Sequence, residues 1–210
     1  METLLPGLLH WTAMRETIGV PVHSAYVVEA RTLIDPMVPP EGLEAAFANL
    51  PDPERIVLTN RLHSRHSQAY IQRFGCDVHV EEAGIANMDP KPFPVRGYRF
   101  GDEVAPGIVA HEVGVLTPEE TALHVQLGPG ALAFADSVIR HDDGRLGFFP
   151  DHLLGDDPAA VKRGMVDSFA ELVDELDFDV LLLAHGAPVV GGGKDALRAF
   201  VAERRAAAAG

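Results

Sequence analysis

The chain has 210 residues, 47% of them hydrophobic and 23% charged, with a formal net charge of −14. That length buries one substantial core, and so acidic a surface repels nucleic acid unless a basic groove intervenes, for which no long basic run exists. No run of about 18 apolar residues is present to span a membrane, the start METLLPGLLH lacks the features of a secretory signal, and a single cysteine, Cys76, excludes an internal disulfide and suits a reducing cytoplasm.

In chain order, LLHWTA, AYVVEA and TLIDP are short β-prone runs broken by Gly and Pro. PEGLEAAFANL has the pattern of an amphipathic helix, opened by Pro40 and stopped by Pro51. ERIVLTN places Ile56, Val57 and Leu58 in one apolar row, as a short buried strand does. The chain then turns through LTNRLHSRHSQAY into a helix, SRHSQAYIQRFG, ended by Gly75. DVHVEE reads as a strand, and MDPKPFPV is broken by prolines. YRFGDEVAPGIVAHEV reads as a β-hairpin, and TALHVQLGPGALAFADSVI as two strands joined at Gly128-Pro129-Gly130. Asp156 and Asp157 ahead of Pro158 open a helix that reaches Leu176 and repeats Val161, Met165, Phe169 and Leu172 near helical spacing. FDVLLLAHG is an apolar strand ending on a histidine, and GGGKDALRAFVAERRAAAAG is a connector followed by an exposed helix. The order, strand-rich and then mixed, occurs twice. It predicts one unit over residues 1–210, built as two similar αβ halves divided near 95–110, with helices outside two facing sheets.

The chemistry concentrates where histidines cluster with acids. His63 and His66 come after the strand ERIVLTN, with Arg61 and Arg65 interleaved. Taken alone they read as residues at the start of a helix. His10, His23, His79, His111, His141 and His152 have no partner pattern. Gly191-Gly192-Gly193-Lys194 lacks the spacing of a phosphate-binding loop and reads as a connector. Phe148 and Phe149 read as packing residues.

Taken in order, the segments from TLIDP to LLLAHG resemble the metallo-β-lactamase-fold hydrolases. That family's main motif, Thr-His-x-His-x-Asp-His after a strand, is matched at Thr59 with Asn60 as an extra residue. His63 and His66 then align with the second and third histidines, Arg61 with the first and Arg65 with the aspartate. The family's Thr-Pro-Gly-His-Thr is similar to Thr117-Pro118-Glu119-Glu120-Thr121, with Glu120 in the histidine position. Its Gly-Asp-Ser resembles Ala135-Asp136-Ser137, its Gly-His-Gly resembles Ala184-His185-Gly186, and Asp35 resembles an acid ending an early strand. The resemblance implies an α+β, four-layer αββα sandwich with one or two metal ions at the sheet edges.

On that mapping one metal position would hold Arg61, His63 and Glu120, the other Arg65, His66 and His185, with Asp136 between. A guanidinium has no lone pair to give a metal, so a two-metal site is disfavoured. Two readings remain open. In the first, His63, His66, Asp136 and His185 hold one divalent ion (Zn, Fe or Mn), Asp136 or Glu120 carries protons, and Arg61, Arg65 and His124 line the pocket. The chain is then a hydrolase of a small-molecule ester, thioester or amide. In the second, no metal binds, and Arg61–Glu120 and Arg65–Asp136 ion pairs close a pocket that binds a ligand or is structural. A nuclease conflicts with the acidic charge, and the oligomeric state is not readable.

Overall fold

The computed structural model describes residues 1–88 and 92–208, so part of the proline-broken MDPKPFPV and the last two residues lie outside the described residues. The first sheet comprises β1 (Glu2–Leu5), β2 (Leu8–Arg15), β3 (Val20–Val27), β4 (Thr32–Ile34), β5 (Arg55–Val57), β6 (Asp77–Glu81) and β7 (Arg96–Tyr98), side by side in that order. The strands are antiparallel as far as β4 and parallel from β4 to β7. Parallel neighbours need crossovers, and α1 (Leu43–Phe47), α2 (Ser67–Phe74) and α3 (Glu82–Asn87) supply them.

The second half adds β8 (Glu103–Ala105), β9 (Ile108–Glu112), β10 (Thr121–Val125) and β11 (Ala131–Phe134). A two-stranded ribbon, β12 (Ile139–Arg140) with β13 (Leu146–Gly147), precedes the long helix α4 (Pro158–Glu175). Then come β14 (Val180–Leu183), β15 (Val189–Val190) and α5 (Gly193–Ala208). The second sheet has the order β15-β14-β11-β10-β9-β8, and only its β11–β14 pair is parallel, bridged by α4.

Alternation along the strands builds the layers. On β11, Ala131 and Ala133 face the other sheet, whereas Leu132 and Phe134 face α4 and α5. On β14, Val180 and Leu182 face inward, and Leu181 and Leu183 outward. The first sheet does the same, with Ile34 and Val57 inward and Leu33 and Ile56 outward, beneath Phe47 of α1 and Tyr70 of α2. The result is helix, sheet, sheet, helix, as the resemblance implied. Among the described residues no helix is long and apolar enough to cross a membrane.

Several elements differ from the sequence reading. Strand β1 has no counterpart in it, and β3 begins earlier than AYVVEA. YRFGDEVAPGIVAHEV divides: Tyr98 closes the first sheet, and only β8 and β9 form the hairpin. Helix α1 is shorter than PEGLEAAFANL, because Gly42 offers no capping side chain and Phe47 is the helix's only buried residue. Helix α2 begins at Ser67, after a short 3-10 turn over Arg61–Ser64. The φ of +37° at Arg65 breaks the helical path between them.

Tyr98 joins the two sheets through polar contacts. Its buried hydroxyl lies 2.9 Å from the Leu58 carbonyl oxygen and 3.0 Å from Thr121 Oγ1 on β10. Tyr98→Phe is expected to lower unfolding free energy by about 1–2 kcal/mol, read from urea denaturation.

Candidate metal centre

The site forms where strands of both sheets end. Strands β11 and β14 pair in parallel with Phe134 opposite Leu183. Two residues beyond each pairing stand Asp136 and His185, so the register alone sets them side by side. In the first sheet β4 pairs in parallel with β5, Ile34 opposite Val57, which brings Asp35 beside Thr59. Asp35 is buried with φ +47°, a conformation rare for a non-glycine residue and found often at functional sites.

Asp35 organises this edge. Its Oδ1 accepts the Thr59 backbone N–H at 2.9 Å, and its Oδ2 accepts from the Thr59 hydroxyl. Oδ2 also accepts from His63 Nδ1 at 2.8 Å. Because a carboxylate only accepts, the His63 Nδ1 proton is fixed and Nε2 faces the opposite way. Nε2 of His63 and Nε2 of His185 each lie 3.2 Å from Oδ1 of Asp136. One ligand-type atom from each of the three side chains falls within 4.8 Å of the others. The donor set fits a divalent ion: tetrahedral coordination at ordinary bond lengths separates ligand atoms by about 3.4 Å. A carboxylate behind a ligating histidine is also the usual way of orienting the ring.

The charges agree with this geometry. Burial and the nearby Arg65 oppose a charge on His63, but the Asp136 and Asp35 carboxylates outweigh them and push its pKa up to about 9. Burial disfavours charge on Asp136 too, yet His63 and His185 hold its carboxyl well below the usual range. For Asp35 burial is likewise outweighed, chiefly by His63, and its pKa is lowered. Burial, then the Asp136 charge, pushes Glu120 up to about 7.

These shifts give the stability a pH dependence of definite sign. A histidine whose pKa is higher folded than unfolded stabilises fully below about 6.5, and that contribution is lost as pH rises through about 9. Glu120 adds a loss of the same sign up to about pH 7. Chelator-treated protein is therefore expected to lose stability from pH 7 to 9, read from urea midpoints across that range.

No family model matches the sequence, and no curated protein matches it. Solved structures do. A metallo-β-lactamase family protein from Thermus thermophilus aligns with a TM-score of 0.67 and 15% identity, over 97% of this chain and 81% of that one. The chain has the metallo-β-lactamase fold. A B3 metallo-β-lactamase described by its active-site glutamic acid aligns with a TM-score of 0.56 and 16% identity, over 90% of this chain and 86% of that one. A protein solved in a di-iron-bound form aligns with a TM-score of 0.58 and 20% identity, over 89% and 91%.

Within this metallo-β-lactamase fold, His63, Asp136 and His185 converge and other expected residues do not. His66 is exposed at the N-terminus of α2, outside the cluster, where its Nδ1 accepts the Val38 N–H at 3.0 Å. The turn at Arg65 swings it away from His63. The expected Arg61–Glu120 pair is replaced by Arg61–Glu119. Asn60 faces Glu120 instead, its Nδ2 donating to Oε2 at 2.8 Å. Nor does Arg65 pair with Asp136: its Nη1 donates to the carbonyl oxygens of His23 and Asp35 at 2.6 and 2.8 Å. His124 points to the helix side of its sheet, by the same parity as Ala122, and its Nε2 donates to the Asp177 carbonyl. It does not line the site.

Glu120 lies beside the cluster as a brace. Its Oε1 accepts the backbone N–H groups of Asp136 and Ser137 at 2.9 and 2.8 Å, and Asn60 occupies Oε2. Phe149 packs on the edge of His185, ring centroids 5.0 Å apart. Asn60 is the residue the motif reading misses; its signal is that it directly succeeds Thr59. His10 and His23 show no partner pattern in sequence, yet both line a cavity of about 20 Å³ beside Asp35 and Ala184. His10 Nε2 is 2.8 Å from His23 Nδ1 and His10 Nδ1 is 2.7 Å from Glu2 Oε1. Burial, and after it the charge of His10, keeps His23 down at about 4.

Proposed function

We propose that His63, Asp136 and His185 hold one divalent metal ion, and that the chain is a metal-dependent hydrolase of a small-molecule ester, thioester or amide. The observation that carries this reading is the equal 3.2 Å approach of two imidazole nitrogens to one carboxylate oxygen, with Asp35 fixing the His63 proton on the far side. When bound, such an ion supplies Lewis acidity, which activates water and polarises a carbonyl. The chain's own residues supply the rest. Asp35 keeps the Nε2 lone pair of His63 toward the cluster. Glu120 holds the Asp136 and Ser137 backbone, and thereby the direction of the Asp136 side chain. Of the two acids expected to carry protons, Asp136 is the one whose carboxylate touches both imidazoles. One structural neighbour is named in a di-iron-bound form and another for an active-site glutamic acid, which supports a metal site with acidic residues on this fold.

The metal-free reading has one observation of its own: a protonated His63 bridges Asp35 and Asp136 and closes the network without an ion. Metal analysis separates the two. Protein purified without a histidine tag is expected to carry about one Zn, Fe or Mn per chain by mass spectrometry. Less than about a tenth of an ion, even after incubation with metal, would leave the closed network as the better account.

A further inference from the structure

The three donors of the candidate centre are not held alike. Asp35 orients His63 through its ring, and Glu120 holds the backbone at Asp136. His185 stands on the connection from β14 to β15, and a connection is by nature more mobile than a strand. It is gripped through its peptides. The His23 N–H donates to the Ala184 carbonyl oxygen at 3.0 Å, and the Arg140 N–H donates to the carbonyl oxygen of His185 itself at 3.0 Å. The Arg140 side chain extends that grip. Its Nη1 donates to the Pro188 and Ala187 carbonyl oxygens at 2.8 and 3.3 Å, and its Nε to the Gly144 carbonyl oxygen at 3.1 Å. Arg140 thus ties the carbonyls of His185, Ala187 and Pro188 to the β12–β13 ribbon, and its guanidinium does so through charge-assisted bonds.

Gly186 makes this approach possible. Its φ of +92° turns the chain directly after His185, and a Cβ there would lie 2.0 Å from the Arg140 carbonyl oxygen. Arg140 also follows Asp136 by only four residues. The chain that leaves one donor comes straight back to fasten another.

We propose that Arg140 is a positioning residue for His185: it sets the direction of the imidazole toward Asp136, and thereby the affinity of the centre for a divalent ion. The affinity rests on the metal reading; the placement of the ring does not. Electrostatics alone makes the opposite demand. A guanidinium on the residue that bonds His185 repels a cation held there, so loss of its charge would tighten binding. The sign of the change separates positioning from charge.

The test compares the full chain with Arg140→Met, Arg140→Lys and Gly186→Ala. Arg145→Met is the control, since the exposed Arg145 side chain pairs with Asp143 on the turn of the same ribbon. Zinc affinity is read by competition with a chromophoric chelator. The contact of the His185 and Phe149 rings is read by nuclear Overhauser effect in chelator-treated protein. Arg140→Met is expected to weaken zinc about tenfold and to lose the ring cross-peak, Arg140→Lys to recover part of both, and Arg145→Met to match the parent. Gly186→Ala, which drives a Cβ against the Arg140 carbonyl, is expected to weaken zinc about 100-fold; should it fail to fold, Arg140→Met carries the test alone. Unchanged or tighter zinc binding in Arg140→Met overturns the proposal, as does equal weakening in Arg145→Met. If the parent takes up no zinc, the metal reading fails by itself and the ring contact decides. A cross-peak present in the parent and lost in Arg140→Met upholds the positioning role, and one that is the same in both overturns it.

Discussion

His185→Ala is expected to empty the candidate metal centre. It removes one of only two imidazoles in a three-residue donor set, leaving a buried His63 and a carboxylate already balanced by it. Substitution of residues that merely support ligands commonly costs about 10- to 100-fold in metal affinity, so loss of a ligand itself is set at about 100-fold or more. Metal content by mass spectrometry is expected to fall from about one ion per chain to background, with any hydrolysis. His141→Ala, on the loop between β12 and β13, is expected to keep its metal. Equal metal content in the two variants would show that the ion binds elsewhere.

Asp35 has the larger effect on stability. Its carboxylate is buried and serves three donors: the Thr59 amide, the Thr59 hydroxyl and His63. Asp35→Ala leaves those donors without that acceptor and His63 with Asp136 as its remaining carboxylate partner, at an expected cost of about 3–5 kcal/mol by urea denaturation. Asp35→Asn is more informative. The amide can still accept from Thr59 through oxygen, but its NH2 then meets His63 Nδ1. That nitrogen must become the acceptor, and the ring proton moves to Nε2, the atom aimed at Asp136. Metal affinity is expected to drop about 10- to 100-fold, with a smaller loss of stability than in the alanine variant. Unchanged affinity in Asp35→Asn would remove the orienting role.

Much of the fold was legible because apolar alternation in β11 and β14, and the spacing of Met165, Phe169 and Leu172 in α4, are local signals. Asp136 and His185 were legible for a related reason: each lies just past an apolar strand, and pairing of those strands in register aligns the residues at their ends. The connection after β5 was not. Sequence spacing places His63 and His66 together, but direction there depends on backbone twist, and the positive φ at Arg65 cannot be read from residue types. The expected Arg61–Glu120 pair gave way to Arg61–Glu119 and Asn60–Glu120 because a one-residue shift in an irregular turn re-aims every side chain. The His10–His23 contact was equally hidden, since it arises between neighbouring antiparallel strands.

The three donors do not come from one half of the molecule. His63 belongs to the first sheet's connections, whereas Asp136 and His185 lie beyond strands of the second. An ion held by all three would therefore staple the two leaves of the sandwich, much as a covalent crosslink would. Occupancy and global unfolding then become one thermodynamic cycle, in which a chelator acts as a denaturant and free metal concentration sets the melting temperature.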